Sequence, residues 1–234
     1  MSTLPTVPTL KPELAAVSAP GANVGKGFAL GALGVLIFAM TLPMTRLAVG
    51  DASAPQLPPA FVTAGRAALA GLLSLAYLWA VRAPRPQPQH WRWLAVSAAG
   101  TVVGFPLTLA LALRQVDAMH AAVVTGLMPM STALIGAFVF RQRPSAGFWA
   151  CALAGFGLVL AFALWQGGGA LSAGDGWLLL AVLFTGIGYV GGAKVAADMP
   201  AAQVICWVLV LSLPFTLPAA AWFWPVAPAR GASW

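Results

Sequence analysis

The charged residues of this chain fall at intervals that cut it into apolar blocks, and the length of those blocks restricts the fold more than any other feature. A helix needs about 20 mostly apolar residues, each rising about 1.5 Å, to cross a bilayer. Residues 27–45 lie uncharged between Lys26 and Arg46. Residues 59–81 are interrupted only by Arg66, and residues 93–113 lie between Arg92 and Arg114. Residues 121–140 separate His120 from Arg141, and residues 148–165 run to the turn Gly167-Gly168-Gly169. Residues 176–193 lie between Asp175 and Lys194, and residues 201–224 form the last block. The spacing predicts seven spans in an all-α, polytopic bundle.

Other classes fail on composition. Of 234 residues, 60% are hydrophobic and 7% charged, whereas a soluble domain carries about 25% charged residues on its surface. The apolar residues come in blocks without the strict alternation of an outer-membrane barrel. Helices remain, because a segment in lipid must satisfy its own backbone hydrogen bonds. The net charge of +7 is scattered between the blocks, without the clustered patch that nucleic acid requires, so no nucleic-acid partner is expected. Cys151 and Cys206 fall inside blocks and read as small packing residues.

Residues 1–26 contain Pro5, Pro8, Pro12 and Pro20 and little apolar content. They read as a disordered cytoplasmic tail, and not as a signal peptide. With the N-terminus in the cytoplasm, the inner segments hold eight basic residues: Lys11, Lys26, Arg82, Arg85, Arg92, Arg141, Arg143 and Lys194. The outer segments hold three: Arg46, Arg114 and Arg230. The positive-inside rule therefore places the N-terminus inside. Trp91, Trp93, Trp222 and Trp224 near span ends fit interfacial belts. The expected location is a plasma membrane, of the bacterial inner type.

Polar residues inside spans are few. Arg66 lies roughly seven residues, or roughly 10 Å, from the outer end of its span. Two readings stand: a snorkelling interfacial anchor, or a cation facing a cavity. Glu13, Asp51, Asp117, Asp175 and Asp198 all fall outside the expected spans, so none is placed to pair with it. Pro43 can bend span 1 between Thr41 and Thr45, whose hydroxyls can repair the gap or meet a solute. Pro129 stands in span 4 one turn after Thr125, and Pro106 in span 3 is a further hinge candidate, as are Pro214 and Pro218 in span 7. Gly27 and Gly31, Gly100 and Gly104, and Gly188 and Gly192 are spaced for close helix approach. Tyr189, on the glycine-rich face of span 6, can present its hydroxyl to a cavity or to a structural partner. His90 falls in a cytoplasmic loop and His120 at the outer edge of span 4; no H-E-x-x-H, paired carboxylate or Ser/His/Asp set is present, and no metal or cofactor is expected.

The order of these features resembles the EamA domain of the drug/metabolite transporter superfamily. The carrying residues are Phe38-Ala39-Met40-Thr41-Leu42-Pro43 with Arg46, then Gly65-Arg66-Ala67-Ala68-Leu69-Ala70. They continue with Ala112-Leu113-Arg114-Gln115-Val116, Ala121-Ala122-Val123-Val124, Leu127-Met128-Pro129, Arg143-Pro144-Ser145, Phe148-Trp149 and Gly155-Phe156-Gly157-Leu158-Val159. The family usually has Glu before the Arg of the fourth loop; here it is Gln142.

The resemblance implies a five-span unit over residues 27–166, one of two in a ten-span fold. Residues 174–234 read as the start of the second unit. Phe184 echoes Phe38, Lys194 echoes Arg46, Pro200-Ala201 echo Pro59-Ala60, and Trp207 falls where Arg66 sits. The reading is of a sequence cut short by three helices. The implied activity is secondary transport of a small organic solute or metabolite through a central cavity. Arg66, Thr41, Thr45, Thr125 and Tyr189 are the solute-binding candidates, with Pro43, Pro106 and Pro129 as hinges. The implied partners are the lipid bilayer, the solute, a coupling ion and, as an assembly, a homodimer. A non-transporting scaffold or an inactive fragment is the competing reading. An intramembrane enzyme is third, for want of a catalytic constellation.

Overall fold

The computed structural model describes residues 24–166 and 172–225. The expected tail up to residue 23, the turn at 167–169 and Arg230 lie outside them. The described residues are helical, with no strand; one isolated bridge joins Gly50 and Pro55. Seven helical stretches are long and apolar enough to cross a membrane: Gly27–Val49, Pro59–Ala80, Pro88–Ala112, Ala118–Val139, Ala146–Trp165, Ala173–Ala196 and Ala201–Trp222. The chain is an integral membrane protein with an all-α fold. Four starts differ from expectation. The third stretch begins at Pro88 rather than Trp93, the fourth at Ala118, the fifth at Ala146 and the sixth at Ala173. His90, expected in a loop, thereby falls in the helical turn that opens the third stretch, and His120 and Asp175 fall inside first helical turns.

Proline accompanies the breaks in two of the stretches and follows a π-helical segment in a third. Its missing N–H leaves the carbonyl four residues earlier without a partner. Helix α1 (Val24–Ala39) ends at the residue that Pro43 would have bonded, and α2 (Thr41–Val49) begins past the break at Met40. Helix α3 is Pro59–Ala80. The third stretch comprises α4 (Trp91–Ser97), a π-helical segment (Ala98–Gly104) and α5 (Phe105–Ala112), with Pro106 in the first turn of α5. In the fourth, α6 (Ala118–Thr125) ends four residues before Pro129, and α7 (Met128–Val139) follows. Helices α8 (Ala146–Gln166), α9 (Ala173–Ala196) and α10 (Ala201–Trp222) run unbroken, the last with Pro214 and Pro218 inside it.

The chain divides at Thr41 into two compact units. In the first, the described part is α1, which closes with the Met40 N–H donating to Leu36 O at 3.4 Å. Gly27 and Gly31 belong to this unit.

The second unit, from Leu42 onward, is built around α9. Two apolar clusters lie towards its two ends. Leu109, Leu113, Ala121, Val124 and Leu178 form one, with Val49 against them. Leu94, Val102, Val195, Val204 and Val208 form the other. Between them the π segment crosses α9 at glycine. A Cβ on Gly100 would lie 2.7 Å from Gly188 Cα, and one on Gly188 would lie 2.8 Å from Thr101 N. Small residues are what allow backbones to meet so closely in lipid, where association depends on contact and not on expelling water. Helices α3 and α10 pack antiparallel: Phe61 meets Trp224 at 5.4 Å between ring centroids, and Gly71 faces Leu213 and Leu209.

Candidate solute-binding site

Three cavities flank α9, two of them beside its crossing with the π segment and one between α7, α8 and α9. The first, of 410 Å³, is lined by Ser97, Thr101 and Tyr189, with Val204, Ile205 and Val208 of α10 opposite. Thr101 Oγ1 donates to Ser97 O at 2.8 Å, the back-bond open to a threonine in a helix. The second, also of 410 Å³, lies on the other side of Tyr189, against Thr132, Phe140, Gln142, Arg143 and Phe148. The third, of 530 Å³, is almost wholly apolar, with Thr108 and Ser212 its hydroxyls. Tyr189 is 49% exposed and stands between the first two. Glycines at 188, 191 and 192 make this possible: they let α4 and the π segment come close while the phenol at 189 stands clear.

The other candidates are dispersed. Arg66 is exposed on α3 and lines none of these three cavities. One turn earlier, the buried Thr63 hydroxyl has no partner. Thr45 is buried in α2, and Thr41 closes the first unit. Thr125 is buried and donates to Ala121 O at 2.8 Å and Ala122 O at 3.1 Å, which occupies its hydroxyl within α6. Pro43, Pro106 and Pro129 each stand beside the helix discontinuities described above. Of the binding candidates, Tyr189 alone lines a described cavity.

Polar contacts concentrate at the two ends of the second unit. At one end Arg46 donates to Leu113 O and, at 3.3 Å, to Val116 O. It also lies 3.9 Å from Asp51 and 3.8 Å from Asp117. Asp51 accepts from Ser53 Oγ and Ala54 N, each at 2.6 Å. The Ser53 hydroxyl first, and then the Ala54 N–H, hold its carboxyl below the usual carboxylate range. Arg114 donates to Leu57 O at 3.0 Å. His120 Nε2 meets Asp175 Oδ1 at 2.5 Å, and Asp175 closes a capping box with Ser172.

At the opposite end His90 Nε2 lies 2.9 Å from Asp198 Oδ2. Lys194 Nζ sits 4.4 Å from the Phe140 ring centroid and 5.8 Å from that of Trp93. Along the chain the acid nearest His120 is Asp117; its partner is instead Asp175, 55 positions away. The only sequence signal for either pair is scarcity: few histidines and few acids, all but Glu13 near span ends. Among the described residues no three metal-ligating side chains come together.

A family model described as the EamA-like transporter family matches residues 25–165. The chain is 44% identical over 199 residues to a Bacillus subtilis protein named as the uncharacterized transporter YdeK, a match covering 85% of this chain and 68% of that one. It is 30% identical over 152 residues to the uncharacterized transporter sll0355 of Synechocystis, covering 56% of this chain and 46% of the relative. No solved structure matches at a significant level.

Proposed function

The chain belongs to the EamA-like transporter family, and from that membership we propose that it is a secondary transporter of a small organic solute, bound at the cavities that Tyr189 divides. The carrying observation is Tyr189 itself, between two cavities of 410 Å³ each. A mostly apolar pocket with a few hydrogen-bonding groups is the usual form of a small-molecule site. The first cavity has hydroxyls and no charge; the second has Arg143 and Gln142 and no acid. That lining favours a solute with an apolar body and one hydrogen-bonding or anionic end.

The proposed setting is a plasma membrane with the N-terminus inside. The loops at residues 82–92 and 141–146 are then cytoplasmic. Single cysteines there, in a protein lacking Cys151 and Cys206, escape a membrane-impermeant thiol reagent applied from outside. Labelling of either loop would reverse the orientation. The proposed domain plan is a five-span unit over residues 27–166 followed by the start of a second at residue 174.

The test of function is uptake of an isotope-labelled metabolite extract into proteoliposomes, read by mass spectrometry. A solute should accumulate with the native protein and not with empty vesicles. Tyr189→Ala should abolish that accumulation at unchanged membrane abundance. Uptake unaffected by Tyr189→Ala would move the site elsewhere, and no accumulated solute would favour a scaffold.

A further inference from the structure

Two His–Asp pairs bracket α9, and their surroundings differ. At the His90 end the Asp198 side chain is 55% exposed, so its carboxylate remains in water. His90 Nδ1 is buried without a partner, and a proton placed there would be an N–H with no acceptor. At the other end both members are enclosed, with side chains 11% and 5% exposed. The His120 ring stacks at 5.7 Å on Phe162. Asp175 Oδ2 accepts from Ser172 N and Ser172 Oγ, each at 2.8 Å. Asp175 is also the one polar residue lining a cavity of 20 Å³ among Val124, Leu127, Phe156 and Leu160. That is room for about one water molecule.

The neighbouring charges are turned elsewhere. Asp117, three residues before His120, is 89% exposed and faces Arg46. Asp51 is held by Ser53, Ala54 and Arg46, and Arg114 donates to Leu57 O. Helix α8 brings Phe162 and Ala163, with its Cys151 about three turns away. The turn after α5 brings Gln115 and Val116 against Gly174. The described parts of α7 and α10 bring no charge.

We propose that His120 and Asp175 bind the proton that couples solute transport to the pH gradient. The proposal rests on the reading of the chain as a secondary transporter. Imidazole is the side chain whose charge changes near neutral pH. When it takes a proton from water, the pair becomes an imidazolium beside a carboxylate, neutral as a unit, and ties the first turn of α6 to that of α9. When the proton returns to water, the carboxylate keeps its bonds from Ser172 but faces a neutral imidazole. The charge-assisted bond between the two first turns is lost, and the helix ends part. On the proposed orientation these are the outer ends, and α9 carries Tyr189 farther along. Proton loss would therefore open an outer approach along α9, with Tyr189 and its cavities roughly 20 Å farther in.

The experiment uses protons as the only probe. Proteoliposomes on a capacitive sensor are stepped from alkaline to mildly acidic buffer without solute. The native protein should give a transient charge displacement. His120→Gln and Asp175→Asn should lose it, and His90→Gln should keep it. In the His90→Gln protein, carbethoxylation of the folded chain should remove the signal and hydroxylamine should restore it, which separates proton binding from misfolding. A displacement that survives in His120→Gln, or is absent from the native protein, overturns the proton site. Metabolite uptake measured without a pH gradient reports on the transporter reading independently.

Discussion

Arg46 donates to the main-chain carbonyl of Leu113, 67 positions away, and so ties the end of α2 to the end of α5. A second bond reaches Val116 O at 3.3 Å, and Asp51 and Asp117 lie within 4 Å of the same guanidinium. The carbonyls matter more than the acids. Leu113 O is at the C-cap of α5 and Val116 O is in the turn that follows, whereas Asp117 is largely exposed and screened. Removing a charged donor to such groups costs about 1.5–3 kcal/mol. Arg46→Ala should lower unfolding stability in detergent by about that amount, and Asp117→Asn by less than about 1 kcal/mol. Equal effects would mean that the ion pair is the stabilising contact.

Gly188 and Gly176 share α9 and should respond in opposite directions. A Cβ on Gly188 would meet Thr101 N at 2.8 Å and Gly100 C at 3.2 Å, and backbone cannot step aside as a side chain can. Overpacking of this kind costs about 1–3 kcal/mol. At Gly176 nothing lies within 4 Å, so alanine brings only its better helix propensity, about 0.5–1 kcal/mol. Thermal unfolding in detergent should fall for Gly188→Ala and rise slightly for Gly176→Ala. A neutral Gly188→Ala would mean that the crossing is looser than these distances.

The spans were legible because Lys26, Arg46, Arg92, Arg114, Arg141 and Lys194 cut the chain at bilayer lengths, and lipid tolerates few other arrangements. The helix breaks at Met40 and after Thr125 were also readable, since a proline acts on the carbonyl four residues before it. The π segment was not. Gly100 and Gly104 signal close packing, but the widened backbone turn accompanies contact with Phe184 and Gly188, far along the chain. His120 and Asp175 are each visible in the sequence, with Asp175 expected just outside its span. Pairing them needs α6 and α9 side by side, which no local periodicity encodes. Tyr189 was legible as one polar group on a glycine face; the cavities on either side of it depend on α7 and α10.

Arg82 and Arg141 take a conformation that usually belongs to glycine. Their φ angles are 49° and 54°, each just past a helix end. The bonding is the same in both: Arg82 N to Trp79 O with Ala83 N to Leu78 O, and Arg141 N to Phe138 O with Gln142 N to Ala137 O. This is the Schellman closure, which favours glycine at the left-handed position. An L side chain there is disfavoured by roughly 1–2 kcal/mol, while a cation near a helix C-terminus returns about 0.3–1 kcal/mol. The backbone strain outweighs the favourable charge. Arg141→Gly should therefore raise stability by up to about 1 kcal/mol, and Arg141→Val should lower it, because β-branching is least tolerated at positive φ. Detergent unfolding of the three proteins gives the order; valine equal to arginine would remove the conformational argument.

Arg66 is exposed on α3, where Leu69 and Leu73, three and seven residues on, are exposed at 62% and 65%. Spacing of three and seven puts all three on one helical face. A face of leucines suits lipid, but a guanidinium roughly 10 Å from the start of its span does not, unless water or a polar partner reaches it. No acid offers itself among the described residues: Asp51, Asp117, Asp175 and Asp198 are engaged at the ends of the unit or lie in water. Hydration is the less costly answer, because insertion of an unpartnered Arg at a helix centre costs about 2.5–3.5 kcal/mol. In a protein lacking Cys151 and Cys206, Arg66→Cys should then react with a hydrophilic, membrane-impermeant thiol reagent, whereas Leu73→Cys, about two turns deeper, should not. Arg66→Gln separates anchoring from binding. Retained metabolite uptake at normal abundance leaves Arg66 as a hydrated anchor, and lost uptake at normal abundance brings it into the solute path. No reaction of the Arg66→Cys protein would mean that this face of α3 is sealed from water, and that Arg66 is held by groups other than water.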